Sequence, residues 1–193
     1  MNIVLIVSQN LSNYEFIIPD NAVYRINLAW VNSIHELEEI LQKHSMHKIF
    51  LDLPKNRTKP PNNHYSVSDL ARILRSSVNI EYFAISNVND ENDLSEFLDL
   101  IPKTITIVPK IESPAGVSNI KKITDNLPYR EKIIMLDHDD LFSALKKNGE
   151  PESKFVEYIK DLITFCEESN IVLLRTVGVV FSDREKRTTQ YLK

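Results

Sequence analysis

The sequence predicts an α/β fold built on a parallel sheet, and three observations support this prediction. Short runs rich in β-branched and aromatic residues alternate along the chain with longer segments of helical period. Most of the short runs are almost continuously apolar, as is typical of strands that are covered on both faces. The 193 residues, 42% of them hydrophobic, suffice for one sizeable core. Repeated strand–helix units of this kind form either an open doubly wound sheet or a (β/α) barrel.

Seven strands are predicted from these apolar runs. They cover Asn2–Val7, Ala22–Trp30, Lys48–Leu53, Ile80–Ile85, Thr104–Ile111, Lys132–Leu136 and Ile171–Val177. A closed barrel normally has eight strand–helix units and at least about 200 residues. A barrel in this chain is therefore expected to be abbreviated.

The helices between the strands have readable ends. Ser33 and Ser66 stand where N-caps are expected, and Asp69 follows Ser66 by three residues, which is typical of a capping box. Apolar residues at helical spacing predict three further helices, over Glu91–Leu100, Val117–Asn126 and Ser153–Ser169. The proline-rich residues 57–64 are expected to form an exposed loop. We expect a single domain over residues 1–193.

Composition excludes several classes of partner and site. The 23 basic and 27 acidic residues give a net charge of −4 with no long block of like charge, so neither a nucleic acid nor an anionic membrane surface is indicated. The chain has no apolar run of about 18 residues and no secretory start, which predicts a cytoplasmic protein. The single cysteine, Cys166, lies in an apolar stretch and is expected to be a buried, inert thiol.

Polar residues at two predicted strand ends are the best candidates for chemistry. Only three glycines are present and the common phosphate-loop motifs are absent. Lys110 and Glu112 end one strand on the same face, and an acidic run that contains Asp140 ends the next. Two carboxylates from adjacent strand ends predict a Mg²⁺ or Mn²⁺ site. The alternative is a structural Lys110–Glu112 ion pair beside a run that only caps a helix beginning near Asp139 or Asp140.

Six segments resemble the pyruvate kinase family, in the order in which that family has them. Residues 108–120, VPKIESPAGVSNI, resemble its K-I-E-N-x-x-G-V-x-N-I signature, and residues 132–141, KIIMLDHDDL, resemble D-G-I-M-V-A-R-G-D-L. The other four are VYRINLA (23–29), FLDLPKNR (50–57), FAIS (83–86) and IVLLRTV (171–177), which are similar to the family's R-L-N-F-S, L-D-T-K-G-P-E-I-R, F-A-S-F and P-V-I-x-A-T-Q segments. The same K-I-E and D-L pattern occurs across the phosphoenolpyruvate and pyruvate superfamily, including class II aldolases and citryl-lyase-like lyases.

The resemblance implies an abbreviated TIM-type (β/α) barrel with about seven of eight strand–helix units, lacking the family's lid and carboxy-terminal domains. It implies that Glu112 and Asp140 hold the divalent ion, which chelates a pyruvate-like ligand. Lys110 would stabilise enolate or phosphoryl charge, and Thr176 would deliver a proton with water. His138, which replaces an arginine, is a further candidate for proton transfer.

The resemblance also implies contacts with a monovalent ion and with the substrate. Asn27 and Asp52 match ligands of the family's K⁺ site, although Ala29 and Leu53 replace two others. The positions expected to contact substrate are Arg25, Ser86, Arg57 and Asp139. Of these, Asp139 replaces a glycine whose N–H approaches the ligand carboxylate, and a side chain there adds bulk and like charge.

Three functions follow as expectations. The first is a metal-dependent protein for phosphoenolpyruvate or pyruvate-type ligands, with phosphotransfer or enolate chemistry. The second is a non-catalytic ligand sensor or partner-binding protein, motivated by Asp139 and by the missing lid and eighth strand. The third is a metal-dependent aldolase or lyase of the same superfamily. An open barrel edge would expose unpaired strand groups, so a homodimer that covers this edge is also expected.

Overall fold

The computed structural model describes residues 6–9, 18–56, 61 and 63–175. Its seven strands belong to one sheet whose order follows the chain. The strands are β1 (Ile6–Ser8), β2 (Val23–Asn27), β3 (Lys48–Leu53), β4 (Ile80–Ile85), β5 (Thr106–Ile111), β6 (Ile133–Leu136) and β7 (Val172–Arg175). The helices are α1 (Ile34–Lys43), α2 (Val67–Ser76), α3 (Ser95–Leu100), α4 (Pro114–Ser118), α5 (Ile120–Asp125), α6 (His138–Lys147) and α7 (Ser153–Glu168).

The predicted α/β fold on a parallel sheet is confirmed, and the strand order follows the chain. Within the residues described, β1 and β7 are the two edges of the sheet, so the sheet is not a closed barrel. Backbone contacts divide the chain into two compact units. The first takes the described residues up to Ser86 together with Leu94–Val108, and the second takes Asn87–Asp93 and the described residues from Pro109 onward. The expectation of one domain over 1–193 stays a prediction.

The first unit carries β1 to β4 with α1, α2 and α3. Its core includes Ile26, Leu37, Phe50 and Phe83, which are all fully buried. β3 and β4 have the predicted bounds, because both are mostly apolar runs, interrupted only by Asp52 inside β3 and Glu81 inside β4. β2 is shorter than predicted, because the Asn27 side chain accepts the N–H of Ala29 at 3.0 Å and begins a 3₁₀ turn over Leu28–Trp30.

Both predicted N-caps of the first unit are confirmed. The Ser33 hydroxyl accepts the N–H of Glu36 at 3.1 Å, and the Ser66 hydroxyl accepts the N–H of Asp69 at 3.1 Å. Each bond satisfies one of the N–H groups that a helix start leaves without an intrahelical partner. The serines therefore set where α1 and α2 begin.

The second unit carries the end of β5 with β6 and β7, in the register Lys110↔Met135↔Leu174. Its core includes Ile111, Ile134, Leu136, Leu141 and Leu162, all fully buried. The predicted helix over Val117–Asn126 is instead two helices, α4 and α5, which meet at Asn119. Burial raises the pKa of the Cys166 thiol to about 11, in agreement with an inert thiol. No helix in the described part of the chain has both the length and the apolar character needed to cross a bilayer.

A buried histidine in the first unit predicts weaker stability in acid. The ring of His44 stacks on Tyr24 with centroids 3.8 Å apart and lies 5.5 Å from the ring of His47. Burial, then the neighbouring His47 and Lys43, lowers the pKa of His44. In the unfolded chain His44 binds a proton near pH 6.5, whereas in the folded chain it binds the proton only at a lower pH. The stability present above pH 6.5 is therefore lost as the pH falls through the lowered pKa of the folded state.

We therefore expect the urea midpoint to fall less between about pH 7.5 and about pH 5.5 in His44→Gln than in the wild type. His35→Gln is the matched control, because His35 is 82% exposed at its side chain. Equal falls in the wild type and His44→Gln would contradict the prediction.

Candidate metal centre

Lys110 and Glu112 form a buried ion pair at the carboxyl end of β5. Lys110 is the fifth residue of the strand and Glu112 follows its last residue, so the alternation of a strand places both side chains on one face, as predicted. They are 4% and 2% exposed, and Lys110 Nζ lies 2.7 Å from Glu112 Oε1. The other oxygen, Glu112 Oε2, accepts the backbone N–H of Asn87 at 2.7 Å. The orientation of Glu112 is therefore fixed at both oxygens.

The acidic run follows β6 and begins helix α6. Asp137 comes directly after the strand and is the N-cap, because its Oδ1 accepts the N–H of Asp140 at 3.3 Å. The helix thus begins at His138, slightly earlier than expected. Asp137 Oδ2 lies 4.0 Å from Lys110 Nζ. The acidic run therefore caps the helix and also faces the buried lysine.

Three carboxylates come together at these strand ends. One oxygen from each of Glu112, Asp137 and Asp140 lies within 4.8 Å of the others. Against these three carboxylates stands one ammonium, Lys110, which leaves a formal excess of two negative charges when all are ionised. Oxygen donors and this charge fit a divalent cation such as Mg²⁺ or Mn²⁺.

The sequence predicted the proximity of Glu112 and Asp140 but not the third carboxylate. The sequence pattern places Asp137 only in the acidic run that caps a helix. The position of Asp137 in the sequence could have identified it as a candidate ligand. An aspartate directly after a parallel strand lies at the edge of the sheet where sites of such folds assemble. The backbone N–H of Asn87 was also missed, since a main-chain donor leaves no mark in residue type.

Two neighbours of the cluster lie on the first turn of α6. Asp139 is half-buried and its carbonyl oxygen accepts the hydroxyl of Ser143 at 2.8 Å. It is not among the three clustered carboxylates. His138 is buried, with Arg175 Nη2 3.2 Å from its Nε2. Burial, then the charge of Arg175, lowers the pKa of His138 against the opposing effect of Asp137. Its role in proton transfer stays a prediction.

The residues assigned to a monovalent ion lie in the first unit. Asn27 and Asp52 are register partners on β2 and β3. The guanidinium of Arg25 contacts the buried carboxylate of Asp52, with Nε 3.1 Å from Oδ2. Arg25 thereby compensates the charge that a K⁺ ion would neutralise, so this pair does not favour the ion. The K⁺ site and the substrate contact of Arg25 stay predictions.

Of the remaining predicted substrate and catalytic residues, the structure describes only Ser86. Ser86 is buried directly after β4, and its N–H donates to the carbonyl of Leu53 at 3.0 Å. Arg57 and Thr176 lie outside the described residues. The assignments of all three stay predictions.

Comparison with protein-family models and with curated proteins finds no match for this chain. Among solved structures, it is similar to the crystal structure of RipC from Yersinia pestis, with a TM-score of 0.62. The two are 14% identical, over 93% of this chain and 77% of RipC. In all, 191 solved chains match. A likeness of fold does not by itself indicate a function. The likeness to RipC establishes the fold alone.

Proposed function

We propose that this chain binds a divalent cation, Mg²⁺ or Mn²⁺, and with it a small pyruvate- or phosphoenolpyruvate-type ligand for enolate chemistry. The observation that carries the proposal is the cluster of Glu112, Asp137 and Asp140 around the buried Lys110. The cluster lies at the carboxyl ends of β5 and β6, the edge at which ligands bind in parallel α/β folds. The motif around Lys110 and Glu112, which resembles that of enolate-forming enzymes, adds support.

Each residue of the cluster has a distinct task in this proposal. Glu112 and Asp140 would hold the ion, with Asp137 as a third oxygen donor. A bound divalent ion supplies positive charge that polarises the carboxylate and enolate oxygens of the ligand. Lys110 supplies a second, permanently placed positive charge, because Glu112 at 2.7 Å and Asp137 at 4.0 Å hold its ammonium in a buried position. A cation fixed in advance stabilises developing negative charge without reorganisation.

Within enolate chemistry, cleavage or formation of a carbon–carbon bond is favoured over phosphotransfer to a nucleotide. Asp139 occupies the position of a glycine in the pyruvate kinase family and is half-buried in the first turn of α6. Where the resemblance places the ligand carboxylate, this side chain adds bulk and like charge, and the polyphosphate of a nucleotide would bring still more negative charge to the same site. An aldolase or lyase needs only the ion, the enolate and a proton carrier, so we favour this class.

A second candidate is a non-catalytic ligand sensor or partner-binding protein. The observation in its favour is that both oxygens of Glu112 are already engaged, Oε1 by the ion pair with Lys110 and Oε2 by the N–H of Asn87. In this case the cluster is structural, and the expected homodimer would be the functional form. Binding of an enolate mimic separates a metal-dependent ligand site from a purely structural cluster.

Oxalate, which mimics a pyruvate enolate, should bind in calorimetric titrations only when Mn²⁺ or Mg²⁺ is present. Glu112→Gln and Asp140→Asn keep the shape of each side chain and remove its charge, so each should weaken oxalate binding by about 10-fold to 100-fold or more. Asp161→Asn is the matched control, since Asp161 is an exposed aspartate on α7 of the same unit.

Undiminished binding to Glu112→Gln would overturn the assignment of the metal centre. If the wild-type protein binds neither ion nor oxalate, the non-catalytic candidate replaces the first.

A further inference from the structure

The motif that follows Glu112 contains three residues that the metal centre does not use. They are Ser113, Gly116 and Asn119, which begin, line and end the short helix α4. In the structure all three contact the segment of residues 87–89, which lies in the same unit and follows β4 in the chain. This shared contact requires an explanation.

Asn89 is the centre of these contacts. The Ser113 hydroxyl donates to Asn89 Oδ1, and Asn119 Nδ2 donates to the carbonyl oxygen of Asn89 at 2.9 Å. The N–H of Asn89 itself donates to Asp93 Oδ2 at 2.8 Å. Between these bonds, α4 approaches the segment so closely that a Cβ atom on Gly116 would lie 2.7 Å from the carbonyl oxygen of Val88.

Asn89 in turn holds Asn87 in place. Its Nδ2 donates to the carbonyl oxygen of Asn87 at 3.1 Å. Asn87 has a φ of 55°, in the left-handed region, which asparagine tolerates better than most residues with a side chain. In this conformation the N–H of Asn87 donates to Glu112 Oε2 at 2.7 Å. One chain of hydrogen bonds thus leads from α4 through Asn89 and Asn87 to the carboxylate of Glu112.

We infer that Asn89 is a positioning residue of the proposed metal centre, which acts by holding the N–H of Asn87 on Glu112. The role of Asn89 at the metal centre rests on the proposed function. The contact between Asn87 and Glu112 does not, because the structure shows it directly. Ligand carboxylates of metal sites depend on such outer hydrogen bonds for their orientation. The motif residues Ser113, Gly116 and Asn119 then serve to hold the loop that orients Glu112.

Asn89→Asp tests the inference with little change of shape. The new carboxylate keeps the acceptor for the Ser113 hydroxyl, but it places an acceptor where Nδ2 donated to the carbonyl of Asn87. Asn126→Asp is the matched control, because Asn126 Nδ2 donates at the same 3.1 Å to a backbone carbonyl, that of Glu91, which lies outside the 87–89 segment. Two quantities are measured: the hydrogen-exchange rate of the Asn87 amide in metal-free protein, by NMR, and the affinity for Mn²⁺.

In Asn89→Asp we expect exchange of the Asn87 amide to accelerate about tenfold or more, and Mn²⁺ affinity to fall about tenfold. The control should change neither quantity. An unchanged exchange rate in Asn89→Asp would overturn the inference whatever the metal does. Faster exchange with unchanged Mn²⁺ affinity would overturn the role in the metal centre. Faster exchange in a protein whose wild type binds no Mn²⁺ would refute the proposed function and leave the hold of Asn89 on Asn87 in place.

Discussion

Lys110→Met should lower the free energy of unfolding by about 3–5 kcal/mol near neutral pH. The substitution keeps the apolar stem and removes the ammonium that lies 2.7 Å from Glu112 Oε1. Glu112 is 2% exposed, so its charge would remain buried without its closest cation. Urea unfolding of the two proteins, followed by circular dichroism, measures the difference.

Two further variants separate a lost ion pair from a general packing defect. Lys110→Met combined with Glu112→Gln removes both charges and should recover most of the stability, because no charge of the pair stays buried and the amide oxygen of glutamine can still accept the N–H of Asn87. Lys146→Met removes an exposed pair with Glu152 at 3.1 Å and should leave stability nearly unchanged. A loss in Lys110→Met as small as that in Lys146→Met would contradict the prediction.

The same variant also reports on the proposed ion. A divalent cation bound by Glu112, Asp137 and Asp140 would compensate the charge that Lys110 leaves behind. Mg²⁺ should therefore raise the unfolding midpoint of Lys110→Met, by an amount that grows with the ion concentration relative to its dissociation constant. Glu112→Gln, which lacks the ligand charge, is expected to show no such increase.

Gly116→Ala should destabilise the protein by about 1–3 kcal/mol, although alanine in a helix is otherwise better than glycine by about 1 kcal/mol. The new methyl group would lie 2.7 Å from the carbonyl oxygen of Val88 and 3.3 Å from Ile111 Cγ2. The first of these atoms is backbone, so relief requires the 87–89 segment or α4 to shift. Thermal unfolding measures the loss of stability.

The shift should also weaken Mn²⁺ binding, since the N–H of Asn87 on Glu112 belongs to the same segment. Gly149→Ala is the control. Gly149 has a φ of 72° and open space around its Cβ position, so alanine there strains the backbone without a clash. It should cost stability and leave Mn²⁺ affinity unchanged. Stability in Gly116→Ala equal to that of the wild type would show that α4 does not need its close approach.

Features set by neighbouring residues in the chain could be predicted from the sequence. Ser33 and Ser66 cap helices because their hydroxyls need only reach an N–H three residues on. The bounds of β3 and β4 follow from runs that are mostly apolar. The shared face of Lys110 and Glu112 follows from the twofold repeat of a strand.

Features that depend on distant parts of the chain could not be predicted from the sequence. The break between α4 and α5 at Asn119 coincides with a bond to Asn89, thirty residues earlier. The bond from Asn87 to Glu112 uses a backbone N–H, which any residue except proline has. Periodicity predicted one helix over Val117–Asn126 because both halves keep apolar residues at helical spacing.

Asp137 combines two tasks in one carboxylate, and this has an evolutionary consequence. Its Oδ1 begins α6, while its Oδ2 faces Lys110 in the acidic cluster. Asparagine or serine would begin the helix equally well but would contribute no charge to an ion. In related chains, aspartate at this position is therefore expected where the cation is used, and asparagine or serine where only the helix has been retained. The residue type at the position of Asp137 would therefore distinguish related chains that use the cation from those that do not, before any assay is made.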